Sequence, residues 1–226
     1  MDIASNIRLV LAELPKDVKL VAISKTKTVE EILRAYQAGQ RIFGENKVQE
    51  LVSKYEQLPK DIEWHLVGHL QTNKVKYIAP FVHMIHSVDS MLLLKEIDKQ
   101  AKKHNRIISC LLEVYIAKEE TKFGLSDQEI YELIESPYFT ESNNVRIVGL
   151  MGMATFTDNN DQIRHEFQHL AMLFKKLKES KFADNPEFKE ISMGMSSDFL
   201  IAVEEGSTMV RVGSKIFGER NYNPDH

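Results

Sequence analysis

The sequence predicts an α/β fold, a single (β/α)8 barrel with an extra N-terminal helix, and three observations predict it. Short apolar strands alternate with amphipathic helices along almost the whole chain. The alternation yields eight strands, each leading into a helix except the last, which is what a closed barrel requires. An open doubly wound sheet would carry a dinucleotide fingerprint after its first strand, whereas here that strand runs into SKTKT with no glycine until Gly39.

The elements follow in order. Ile3, Ile7, Val10, Leu11 and Leu14 share one helical face that ends at Pro15. Strands are expected near residues 18–24, 41–43, 62–67, 82–86, 107–116, 145–150, 189–193 and 208–212. Helical patterns fill roughly 28–38, 46–57, 73–79, 89–104, 126–136, 160–180 and 196–205. Thr28, Asn73, Asp89 and Ser126 are candidate N-caps, the last with Glu129 in a capping box. No linker or low-complexity tract divides the 226 residues, so residues 1–226 read as one domain.

Composition narrows the function. With 29 Lys+Arg against 33 Asp+Glu the net charge is −4, and no basic stripe offers itself to nucleic acid. The one cysteine, Cys110, permits no internal disulfide and fits a reducing compartment; its apolar strand makes it buried filler rather than a nucleophile. The N-terminus lacks a basic secretory n-region, and no apolar run approaches the ~20 residues that span a bilayer. The expectation is a cytoplasmic protein without a membrane partner.

Barrel chemistry sits where the strands end. Those positions read SKTKT (24–28), GEN (44–46), GHLQTNK (68–74), SVDS (87–90), AKEETKFG (117–124), MGMATF (151–156), GMSSD (194–198) and VGSKIFG (212–218). Rich in Gly, Ser, Thr, Asn and Lys, they describe an anion-binding mouth. GMSSD offers backbone N–H groups with the hydroxyls of Ser196 and Ser197, and VGSKIFG offers Gly213 and Ser214. The last two loops of a barrel commonly hold phosphate. The plainer alternative is that Ser196 only caps a helix and Gly213 only turns the chain.

Val21, Ile23 and Lys25 share the inward parity of the first strand. A lysine desolvated at an apolar strand end is a candidate Schiff-base former. Lys27 has the same parity, so alternation leaves both open, with Lys25 nearer the barrel. In the last strand Met209 and Arg211 share one face and Val210 and Val212 the other. An inward Arg211 is a buried permanent cation that needs an acceptor, while an outward one would pair with Glu204 or Glu205.

His165-Glu166-Phe167-Gln168-His169 matches the zinc pattern H-E-x-x-H. The stripe Ile163, Phe167, Leu170, Phe174 and Leu177 puts both histidines on the opposite, solvent side, so the zinc reading is set aside. His65 and His69 flank the third strand's end as pocket neighbours. The methionines at 151, 153, 193 and 195 sit in two MGM turns as packing near the mouth.

Several long motifs in order, VAISKTK (21–27), FGENKVQE (43–50), WHLVGHLQTNK (64–74), GLMGMATF (149–156) and SMGMSSDFLIAVEEGSTMVRVGSKIFGER (192–220), carry a resemblance over nearly the whole chain. The sequence resembles the YggS/PROSC-type pyridoxal phosphate homeostasis proteins, which look like the barrel domain of alanine racemase. The departures are Thr28, where a proline is common, and His69, where proline or glycine is common. The resemblance implies a barrel holding pyridoxal 5′-phosphate (PLP) as a Schiff base on Lys25. It implies phosphate binding by Ser196, Ser197, Gly213 and Ser214, Arg211 opposite the pyridine nitrogen, and Asn46 beside the ring. Lys122 is a further cation nearby.

An arginine there only donates, so the ring nitrogen stays unprotonated and the ring is a poorer electron sink. Only about a dozen residues follow the last strand, so the second acid–base group of a racemase is not expected. The expectation is a PLP carrier or regulator in vitamin B6 balance, meeting PLP-dependent apoenzymes and amino acids that compete for the aldehyde, and, from its nearly complete helix ring, monomeric. The rival is a PLP-dependent amino-acid racemase or isomerase with an open site. A cofactor-free sugar-phosphate isomerase would need a carboxylate base, for which only Glu45 and Glu113 stand near strand ends.

Overall fold

The computed structural model describes residues 2–117 and 123–219. Eight parallel strands close in sequence order: β1 (Lys19–Ile23), β2 (Ile42–Glu45), β3 (Glu63–Leu66), β4 (Met84–Val88), β5 (Ile108–Val114), β6 (Val145–Gly152), β7 (Glu190–Met195) and β8 (Met209–Val212). Closure is made by β1 against β8, with Val21 beside Arg211. Ten helices surround the strands among the described residues: α1 (Ile3–Glu13), α2 (Val29–Gln37), α3 (Val48–Gln57), α4 (Val75–Ile78), α5 (Met91–Lys103), α6 (Asp127–Glu135), α7 (Pro137–Glu141), α8 (Asn160–Glu179), α9 (Phe199–Glu204) and α10 (Ser214–Phe217). None is long and apolar enough to cross a membrane.

Two apolar layers follow from the strand period of two. Outward residues such as Ala22, Phe43, Trp64, Leu66, Val210 and Val212 pack under the helices. Inward residues Val21, Met84, Leu111, Val148, Met151 and Met209 fill the barrel axis. Arg211 shares the parity of Met209 and is buried, so the inward reading holds; Glu204 and Glu205 instead pair with Arg164.

Thr28 and Ser126 form capping boxes with Glu31 and Glu129. Two other expected caps do not form. Asn73 lies inside a short 3-10 turn (Thr72–Lys74), and Ser90 rather than Asp89 caps α5. The last strand does lead into a helix, the one-turn α10, and α7 is a second helix the pattern does not announce. Leu11 is 46% exposed, so α1 buries only Ile3, Ile7 and Val10. The methionines at 151 and 193 are buried inside β6 and β7 rather than in turns, while Met153 and Met195 reach the mouth.

Candidate functional site

At the C-terminal ends of the strands lies a cavity of about 690 Å³. That is within the usual range of small-molecule sites. Lys25, Lys27, Asn46, Ser196, Ser197, Arg211, Gly213 and Ser214 all line it. Sequence-distant loops after β1, β2, β7 and β8 are therefore brought to one place.

The first loop turns immediately. Lys27 N–H donates to the Ser24 carbonyl at 3.0 Å, closing a turn in which Thr26 takes a φ of 65°. Alternation therefore stops at Ile23, which is why parity does not separate the two lysines. Lys27 Nζ donates to the Phe217 carbonyl at 3.2 Å and lies 3.9 Å from Glu31, tying this loop to the end of α10.

Asn46 is held by close backbone approach. A Cβ on Gly68 would stand 2.5 Å from the Asn46 carbonyl oxygen and 2.9 Å from its Cα, so only glycine lets the second and third loops touch. The last two loops are clasped together: Gly213 N–H donates to Ser196 Oγ at 3.1 Å. Ser196 thus links two crossovers rather than capping α9. Asp198 supports this loop by accepting from Met195 N–H at 2.6 Å.

Arg211 donates to Ser192 Oγ at 2.7 Å and to the Gly152 carbonyl at 3.0 Å. Burial pulls its guanidinium down to about 10, opposed by Asp198 and Glu113, so it stays a cation at neutral pH. Glu113 is a wall residue that the sequence did not single out as a binder. It is 3% exposed, and among the described residues Oε2 has no hydrogen-bond partner. Burial and the neighbouring Asp89 push its carboxyl up to about 7, against the pull of Arg211. Phe123, Phe156 and Met153 make an exposed apolar rim, and His69 joins it, 3.2 Å from Asp89 and 4.7 Å ring to ring from Phe123. His65 does not reach the cavity; it is buried deeper in the barrel. Lys122 lies outside the described residues. Cys110 is buried and its thiol is pushed far up by desolvation, as filler should be.

The H-E-x-x-H histidines sit apart from this mouth. His165 is exposed and His169 pairs with Asp127 at 2.9 Å. Among the described residues the one cluster with metal-ligand spacing is Glu63, His65 and His83, at the opposite barrel end.

Fold and cavity together define a class: the family described as "Alanine racemase, N-terminal domain" matches residues 2–221, and the chain belongs to it. Alanine racemase from E. faecalis, solved as a crystal structure, shares the barrel at a TM-score of 0.72 and 13% identity, with 97% of this chain on 58% of that one. Within the class the chain is a member of the pyridoxal phosphate homeostasis proteins. It is 43% identical to the one from Aquifex aeolicus, over 90% of this chain and 88% of that protein. It is 37% identical to the human one, over 94% and 82%. PipY of Synechococcus elongatus PCC7942, solved with PLP bound, superposes at a TM-score of 0.86 and 35% identity, covering 96% of this chain and all of that one.

Proposed function

We propose that the protein binds PLP at this cavity through Lys25 and acts in intracellular PLP homeostasis as a carrier rather than a general amino-acid catalyst. The observation that carries the reading is the convergence of Lys25, Asn46, Ser196, Ser197, Arg211, Gly213 and Ser214 on one pocket. The donor set suits the ligand. Hydroxyls and backbone N–H groups on the clasped seventh and eighth loops suit a phosphate ester. A buried cation that can only donate suits a pyridine nitrogen, and a lysine at the end of β1 suits an aldehyde. Bound PLP supplies an aldehyde that condenses reversibly with primary amines.

The residues divide the work. Ser196, Ser197, Gly213 and Ser214 anchor the phosphate end. Asn46, pressed against Gly68, borders the ring. Arg211, fixed by Ser192 and the Gly152 carbonyl, presents a donor and withholds a proton from the ring nitrogen. The open mouth lets an amine or an apoenzyme approach, so exchange at Lys25 releases the cofactor. The protein works as a cytoplasmic monomer, and its net charge of −4 gives nucleic acid no surface.

The purified protein is expected to absorb in the visible region, and borohydride reduction followed by peptide mapping to find the label on Lys25. Lys25→Ala should be colourless while still folded. Label confined to Lys27, or undiminished colour in Lys25→Ala, overturns the assignment.

A further inference from the structure

A chain of buried polar groups runs away from the cavity through the barrel axis. Arg211 on β8 donates to Ser192 Oγ on β7 at 2.7 Å. Ser192 Oγ lies 3.0 Å from His86 Nδ1 on β4, and His86 Nε2 lies 2.9 Å from His65 Nδ1 on β3. All four side chains are buried to at least 96%. Parity makes the chain possible: His65 and Met84 are paired across β3 and β4, Ser192 and Met209 across β7 and β8, and both methionines belong to the inward layer.

The donors and acceptors fix its direction. A guanidinium has no acceptor, so Ser192 Oγ receives from Arg211. Among the described residues the remaining partner of that hydroxyl is His86 Nδ1, so donation to Nδ1 is the arrangement that gives the buried Ser192 hydrogen an acceptor. His86 must then carry its hydrogen on Nε2 and donate to His65 Nδ1, which leaves His65 with its hydrogen on Nε2. Among the described residues that atom has no hydrogen-bond partner. Glu63 and His83 bring ligand atoms within 4.8 Å of a His65 ring nitrogen, and the Glu63 carboxylate itself lies 3.4 Å from His83 Nε2. Lys19, held by Glu190, also acts on His65, opposing any added positive charge.

We propose that Ser192, His86 and His65 are positioning residues, a one-way hydrogen-bonded strut that locks Arg211 as a donor toward the cavity and supplies it no proton to pass on. The geometry makes both imidazoles neutral and pins the guanidinium from behind. This deepens the PLP reading and rests on it for its consequence at the ring nitrogen, whereas the polarity of the strut stands without any ligand.

Two measurements separate these levels. In 15N-histidine-labelled protein without PLP, long-range 1H–15N spectra from pH 5.5 to 8.5 should show His65 and His86 as Nε2–H tautomers that do not titrate, assigned with His65→Gln and His86→Gln. An Nδ1–H tautomer, titration in this range, or a zinc-induced shift showing His65 Nε2 deprotonated overturns the strut. In PLP-loaded protein, His86→Gln can accept from Ser192 and donate to His65, so PLP dissociation should stay within about threefold of wild type. Ser192→Ala and His86→Leu should speed it about tenfold or more, with borohydride still labelling Lys25. Unchanged dissociation in Ser192→Ala, which removes one oxygen and spares the fold, overturns the positioning role. Absence of PLP from the wild type would instead sink the functional reading and leave the tautomer result standing.

Discussion

At the scale of single residues, Thr26 is the clearest point of stored strain. A β-branched residue in the left-handed region costs on the order of 1–2 kcal/mol. Here it sits between the two cavity lysines. The turn closed by Lys27 and Ser24 holds it, as does the 2.6 Å bond from its own N–H to Glu50 Oε1. Glu50 is itself fixed by Lys54 Nζ at 2.6 Å, and Lys54 also bonds Glu45 and the Ser24 carbonyl, so the turn is braced from beneath. Asparagine adopts this conformation at lower cost, and both braces use backbone groups it retains. Thr26→Asn should therefore raise stability by about 1 kcal/mol in urea denaturation. A loss of stability would mean that the threonine side chain makes a compensating contact. The bracing also explains why the alternation that the sequence carries on to Lys25 and Lys27 ends in the structure at Ile23.

At the scale of elements, α8 shows how a motif misleads and what its residues do instead. Ile163, Phe167, Leu170 and Leu177 are buried as its period requires, and His165 points to solvent. Glu166 is the surprise. It is buried, with Oε2 accepting from Thr155 N–H at 2.7 Å and Oε1 from Thr155 Oγ1 at 2.8 Å and Gln162 Nε2 at 3.0 Å. The glutamate of the apparent zinc motif pins the loop after β6, the one that carries Met153 and Phe156 to the rim. Glu166→Ala removes charge-assisted bonds and strands a backbone N–H, so stability should fall by about 2 kcal/mol. Zinc or chelator should leave the melting temperature of the parent protein unchanged if α8 has no metal role.

The same contrast governs what the sequence made legible. The N-cap at Thr28 and the capping box at Ser126 were readable because the cap and its partner lie within four residues. The clasp of Ser196 on Gly213 and the contact of Asn46 with Gly68 join residues far apart in the chain, and no local pattern encodes them. Arg211 was readable as inward or outward by parity, but its partners Ser192 and Gly152 come from other strands. α7 and α10 span too few residues to show a helical period, although Ser136 before Pro137 is an N-terminal signal in retrospect.

For the whole molecule, the buried ionisable groups set opposing pH dependences. His65 is held down to about 3 by burial, with His83 and Lys19 adding to it, and His86 is also held well below its ordinary value by burial. The unfolded chain protonates these imidazoles near pH 6.5 and the folded chain does not, so each makes stability fall as pH falls below 6.5. Glu45 and Glu113 are raised to about 7, chiefly by burial. The folded chain protonates them while the unfolded chain remains ionised down to about 4.5, so each makes stability rise as pH falls from 7 to 4.5. Two groups of each sign leave a plateau between about pH 5 and 6.5. Below about 4.5 the carboxyl contribution is complete while the histidines keep costing, and stability drops. His65→Gln removes one arm of this balance. From pH 7 to 5 the variant should gain about 2 kcal/mol relative to the parent, because that is what one neutral-locked imidazole withholds over this interval. Urea denaturation at pH 7, 6 and 5 reads the difference directly. Parallel curves for parent and variant would mean that His65 titrates as freely in the folded barrel as in the unfolded chain.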